Sequence, residues 1–138
     1  MLFRSAYSRF RARDFRVRDL IAEAEAVLIP AAVLGELHGG FEAGTRSREN
    51  RQALAEFLTE PFVSVIDADA SVARQYGRVY AALRRAGRPI PTNDIWIAAN
   101  AIDRGGCLLT FDHDFDHVDG LDRLTLDGVP SDDVGSDE

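Results

Sequence analysis

Four carboxylates in this sequence stand where a strand–helix fold could gather them. Asp94 opens the run Asp94-Ile-Trp-Ile-Ala-Ala99, which reads as the first turns of a helix after the rigid loop Gly87-Arg-Pro-Ile-Pro91. Asp112 and Asp114 follow Cys107-Leu-Leu-Thr110, a short apolar run read as a buried strand. Glu36 follows the strand-like Ala26-Val-Leu-Ile29 and lies beside Val33, Leu34, Leu37 and Phe41 on a predicted helix. Helix starts and strand ends meet along the carboxyl edge of a parallel sheet. Carboxylates converging there repel one another unless a cation neutralises them, and an all-oxygen set suits Mg²⁺ or Mn²⁺. With open positions, such an ion activates water for attack on a phosphodiester and steadies the leaving oxygen.

Each acid also has a plainer reading. An aspartate in a first helical turn gains roughly 0.3–1 kcal/mol from the helix dipole. Thr92 or Asn93 is expected to cap that helix, which leaves Asp94 free to point elsewhere. Glu36 could flank its apolar stripe and reach solvent, and Asp112, Asp114 and Asp116 could form a solvated turn. A calcium loop is excluded because His117 stands where glycine is needed and Arg123 where the bidentate acid is needed. Zinc is disfavoured, since Cys107, His113 and His117 lack paired-ligand spacing. There is no nucleophile elbow and no glycine-rich phosphate loop.

The elements that must position these acids alternate along the chain. Residues 1–4 are long enough only for a short strand. Val17, Leu20, Ile21 and Ala24 mark a helix ending near Glu25. A strand over 26–29 stops at Pro30, and a helix runs from Ala31 to about Glu42. Ser47 is a candidate cap for a helix that turns Leu54, Phe57 and Leu58 inward. Phe62-Val-Ser-Val-Ile66 alternates as a strand does. Asp67 or Asp69 caps a helix to about Arg85, with Val72, Tyr76, Val79, Tyr80 and Leu83 as its inner stripe. Ile95, Ile97, Ala98, Ala101 and Ile102 pack the next helix, which Gly105-Gly106 end. A last short strand falls near 124–126. This order predicts one α/β domain with a parallel sheet covered on both faces.

The 138 residues suit a single core. No run approaches membrane-spanning length, and no apolar leader follows Met1, so a cytoplasmic protein with no membrane partner is expected. The single Cys107 excludes an internal disulfide and is expected to be inert packing in a buried strand. The net charge of −7 is uneven. From Asp112 onward ten acids face one arginine, whereas residues 1–111 carry fifteen arginines against thirteen acids. The body is thus slightly basic. Arg9, Arg11, Arg13, Arg84, Arg85 and Arg88 are candidates for phosphate contacts, although each one singly is better read as solvated surface. The acidic tail over 129–138 has too little apolar content to fold.

Three stretches together carry a resemblance: Leu34-Gly-Glu-Leu37, Gly87-Arg-Pro-Ile-Pro-Thr-Asn-Asp-Ile-Trp-Ile-Ala-Ala99, and Leu109-Thr-Phe-Asp-His-Asp-Phe115 with Val118-Asp-Gly-Leu121. In this order they resemble the PIN-domain ribonucleases, and among those the VapC toxins of type II toxin–antitoxin modules. The resemblance implies a PIN domain over 1–128 with a three-layer α/β/α sandwich and a parallel central sheet. It also implies a homodimer that cuts RNA with Mg²⁺ or Mn²⁺ and is inhibited by a VapB-like antitoxin. By motif, Glu36, Asp94 and Asp112 match the metal-site acids, Asp114 matches an accessory acid, and Thr92 or Asn93 would assist at the helix start.

The first strand departs from that pattern. The family ends this strand in Asp-Thr or Asp-Ser, and that aspartate is a metal ligand. Here Phe3 and Arg4 occupy those positions. A phenyl ring ligates no cation, so metal affinity and cleavage are expected to fall. Either the site is a weakened variant, or these first residues are not the native start. A PIN domain acting as an antitoxin- or RNA-binding module is therefore the second expectation. The third, an unrelated α/β domain with incidental acids, would be supported by Glu36, Asp94 and Asp112 lying far apart.

Overall fold

In a computed structural model, which describes residues 2–3 and 15–127, five short strands form one sheet in the order β3-β2-β1-β4-β5. The strands are β1 (Leu2–Phe3), β2 (Val27–Pro30), β3 (Val63–Ile66), β4 (Leu108–Thr110) and β5 (Arg123–Thr125). Every neighbouring pair is parallel. Five α-helices make the crossovers among the described residues: α1 (Phe15–Glu23), α2 (Ala31–Ala43), α3 (Ser47–Leu58), α4 (Ala70–Arg85) and α5 (Thr92–Arg104). The result is a three-layer α/β/α sandwich, as expected. All three residues of β4 are buried, and so are Val27 and Ile29 on β2, because helices cover both faces of the middle strands. The outer strands are less enclosed, with Val65 on β3 and Leu124 on β5 exposed.

The strand order sets where a site can form. From β1 the chain steps outward through β2 and β3, then crosses back to place β4 on the other side of β1. The direction of winding reverses between β1 and β4. A crevice opens at the carboxyl ends of two such strands, and this is where parallel sheets bind ligands. Phe3 pairs with Leu109, so position 3 ends β1 beside the strand that leads to Asp112.

Helix α5 is the most enclosed of the helices. Ile95, Ile97, Ala98, Ala99, Asn100 and Ala101 are all buried. Its alanines let neighbouring backbones approach closely. It ends in a Schellman turn: Gly106 N–H donates to the carbonyl of Ala101, and Gly105 N–H to that of Ile102. Gly105 has φ 64°, a conformation that a Cβ would strain. Helix α4 runs antiparallel to α5, and Ser71 near its start is hydrogen-bonded to Asp103 near the end of α5. Asp69 caps α4 by accepting from Val72 N–H at 3.0 Å. Asp69→Ala removes that bond and is expected to cost about 1 kcal/mol, read as a lower urea midpoint at unchanged slope.

Several expectations need correction. Thr92 and Ser47 are the first residues of their helices, not caps; the chain enters through Pro91 and Arg46, with no side-chain cap bond. Cys107 precedes β4 and is exposed, because that strand begins at Leu108. Tyr80 is exposed as well: the inward arc of α4 is filled by Val72, Val79 and Leu83, and Tyr80 falls at its rim. The last strand is Arg123–Thr125 and not 124–126. Arg9, Arg11, Arg13 and the tail over 129–138 lie outside the described residues.

Candidate metal centre

Asp94 reaches the crevice from the first turn of α5. Its backbone N–H donates to Pro91 O at 3.0 Å, and only 3% of the residue is exposed. A carboxylate that buried is costly unless something compensates its charge. The amino-terminal end of α5 contributes part of that compensation.

Asp112 and Asp114 approach from the other strand. After β4 the chain makes no open loop; it winds into a 3₁₀ turn, His113–His117. Asp112 caps this turn by accepting from Asp114 N–H at 2.8 Å. Asp112 N–H is itself fixed by Thr110 Oγ1 at 3.0 Å, and Thr110 is fully buried. Phe115, also fully buried, anchors the turn in the core. Under these constraints one carboxylate oxygen from each of Asp94, Asp112 and Asp114 lies within 4.8 Å of the other two. The third expectation gains no support from Asp94 and Asp112, since acids from α5 and from the end of β4 share one place.

Glu36 is not one of these three. It sits half-buried on α2, and its Oε2 accepts from Asn93 Nδ2 at 3.2 Å. Asn93 thus links α2 to the start of α5 and does not cap its own helix. Glu36 is adjacent to the cluster through this bond. Position 3 is placed by its backbone alone, at the end of β1.

The set fits a hard divalent cation. Three carboxylate oxygens from two elements converge, with no nitrogen or sulfur donor among them. Exposure rises from buried Asp94 through Asp112 to exposed Asp114, so the centre opens toward solvent on one side. Arg88, past the end of α4, has its guanidinium 3.4 Å from the ring of His117, the last residue of the 3₁₀ turn. Arg84 stands 5.5 Å over the ring of exposed Tyr80, near the end of α4.

Asp116 was legible only as one more acid in the loop. Its Oδ1 accepts from Arg123 Nε and Thr125 Oγ1, both at 2.9 Å, and its Oδ2 lies 2.9 Å from His113 Nδ1. His113, Arg123 and Thr125 together hold its carboxyl far below the ordinary range. Its bonds with Asp116 and Asp127 raise the pKa of His113. The clue in the sequence was Arg123, the one cation among ten acids after Leu109.

Comparison with known proteins agrees with this architecture. The PIN domain family model matches residues 5–121. Ribonuclease VapC5 of Mycobacterium tuberculosis is 31% identical over 102 residues, covering 74% of this chain and 76% of that protein. The tRNA(fMet)-specific endonuclease VapC of Shigella flexneri is 33% identical over 94 residues, covering 67% of this chain and 70% of its own. The crystal structure of VapBC2 from Rickettsia felis bound to a promoter DNA fragment superposes with a TM-score of 0.78 at 23% identity, covering 91% of this chain and 98% of that one. The chain belongs to the PIN-domain family, in its VapC group. No helix among the described residues is long and apolar enough to cross a membrane.

Proposed function

We propose that this protein is a metal-dependent endoribonuclease toxin that hydrolyses RNA phosphodiesters in the cytoplasm and is neutralised by a VapB-like antitoxin. The observation that carries the reading is the convergence of Asp94, Asp112 and Asp114 within 4.8 Å at the crevice where the sheet reverses direction. These three would hold Mg²⁺ or Mn²⁺, with Glu36 as the fourth candidate ligand. The ion supplies charge neutralisation at a phosphodiester and a nucleophile drawn from water. The chain's own residues place and limit that chemistry. Asp94 is placed by the first turn of α5, Asp112 is held by Thr110, and buried Phe115 anchors the turn that carries Asp114. Arg84, and Arg88 beside His117 of the acid-bearing turn, are the candidates for phosphate contacts. The relatives named as VapC ribonucleases, and the VapBC complexes of the same fold, support the antitoxin partner; a homodimer is part of the same proposal.

Position 3 favours a second reading, a PIN domain with weakened catalysis that binds antitoxin or RNA. The crevice lies between β1 and β4, and β1 ends there in phenylalanine. The two readings share a first test. Purified free of antitoxin, the protein is incubated with structured RNA in Mg²⁺ or Mn²⁺, with and without EDTA. Any cleavage it shows is expected to stop in EDTA and return with excess metal. Cleavage that persists in EDTA contradicts the metal centre.

A further inference from the structure

We propose that Asp116 is a positioning residue for the candidate centre, one that holds the acid-bearing 3₁₀ turn against β5 so that Asp112 and Asp114 stay at cation distance from Asp94. The inference rests on the metal reading above and adds a residue to it. Asp116 lies only two residues beyond Asp114, yet it is not among the three converging acids. Both its oxygens are engaged away from them. Arg123 and Thr125 bind one oxygen from β5, and His113, inside the turn, faces the other. His113 in turn contacts Asp127, just past β5, through Nε2 at 3.2 Å. The turn is thus stitched to β5 at both its first residue and its fourth. Its third residue, Phe115, is fixed by burial. Asp112 and Asp114 have no comparable side-chain ties to β5 among the described contacts. Asp112 is held from β4 by Thr110, and the placement of Asp114 relative to it follows from the turn, whose geometry is reported by the Asp114 N–H to Asp112 Oδ1 bond.

Two substitutions separate bonding from charge. Asp116→Ala removes all three partners. Asp116→Asn removes the charge but can keep the contacts, with Oδ1 facing Arg123 and Thr125 and Nδ2 donating to His113 Nδ1. Mn²⁺ affinity is measured by calorimetry, and amide exchange of Asp114 is followed by NMR in metal-free protein. Val63→Ala, at the far edge strand, serves as a destabilised control. Residues that orient metal ligands contribute about 10–100-fold to affinity. Asp116→Ala is therefore expected to weaken Mn²⁺ binding at least about tenfold, with Asp116→Asn close to the parent. Val63→Ala is expected to leave affinity unchanged, because affinity of the folded protein does not follow global stability. Exchange at Asp114 is expected to accelerate in Asp116→Ala and to stay near the parent rate in Asp116→Asn. Parent-like Mn²⁺ affinity in Asp116→Ala overturns the proposal, and so does an equal loss in both variants, which would assign the effect to charge. If the parent itself binds no Mn²⁺, the metal reading fails. The positioning role then stands or falls on the exchange measurement, where unchanged protection of Asp114 in Asp116→Ala overturns it.

Discussion

Phe3→Asp is expected to raise Mn²⁺ affinity and RNA cleavage together, each by at least about tenfold, the lower end of what groups around a metal contribute. The argument is one of placement. Position 3 ends the central strand, pairs with Leu109 on β4, and stands at the crevice where the winding reverses. Asp112 leaves the neighbouring strand only two residues past Thr110. A carboxylate at position 3 is therefore expected to join the set of three. The same substitution adds a negative charge at the end of the strand that neighbours β4. Thermal stability in EDTA is expected to fall and to recover as Mn²⁺ is added, since an ion that binds only the folded state stabilises it by mass action. Strong cleavage by the parent chain, with no gain from Phe3→Asp, contradicts the weakened-site reading. An inactive Phe3→Asp that also fails to bind Mn²⁺ counts against the nuclease assignment.

Asp94→Asn is expected to act in the opposite sense, and most clearly in the Phe3→Asp background. Asparagine preserves the shape of a side chain that is 3% exposed but removes its charge and its anionic oxygen. Residues that merely orient ligands contribute about 10–100-fold, so losing a direct ligand should lower cleavage by about 100-fold or more. Stability should move the other way. Three carboxylates within 4.8 Å repel one another when no cation is bound, by roughly 1 kcal/mol per pair in water and a few kcal/mol at the dielectric of a protein surface. Neutralising one relieves that repulsion, and the metal-free melting temperature is expected to hold or to rise by a few degrees. A loss of activity with a large drop in melting temperature would show that Asp94 serves the fold, not the chemistry.

Much of this arrangement was legible before any coordinates, for identifiable reasons. Helix α5 announced itself through Pro91 before it, Gly105-Gly106 after it and an apolar set at helical spacing between. These are local signals, and the fold obeys them. Strand β4 was readable because Leu108 and Leu109 are flanked by glycines and by polar residues. The meeting of Asp94 with Asp112 followed from strand–helix order, since helix starts and strand ends share an edge in a parallel sheet.

What could not be read depends on contacts distant in sequence. Asn93 was expected to cap α5 because asparagine favours caps, but Glu36 from another helix claims its amide. Asp116 looked equivalent to Asp112 and Asp114 by spacing. Only the position of β5, which brings Arg123 and Thr125 alongside, turns it away from them. Tyr80 fell within the apolar period of α4 and is nonetheless exposed beside Arg84, because the arc that α4 buries is narrower than its apolar stripe. Cys107 lay one residue outside the strand that was expected to bury it. β1 is two residues long, too short for any periodicity to reveal, and its place at the centre of the sheet comes entirely from pairing with β2 and β4.

The central claim is that Asp94, Asp112 and Asp114 hold one divalent cation. A Mn²⁺ titration of the antitoxin-free protein by calorimetry tests it most directly, run beside Asp94→Asn and Asp112→Asn. The expected result is saturable binding to the parent, tightened by Phe3→Asp and weakened at least about tenfold by either asparagine substitution. Equal Mn²⁺ binding by the parent and both asparagine variants would contradict the account.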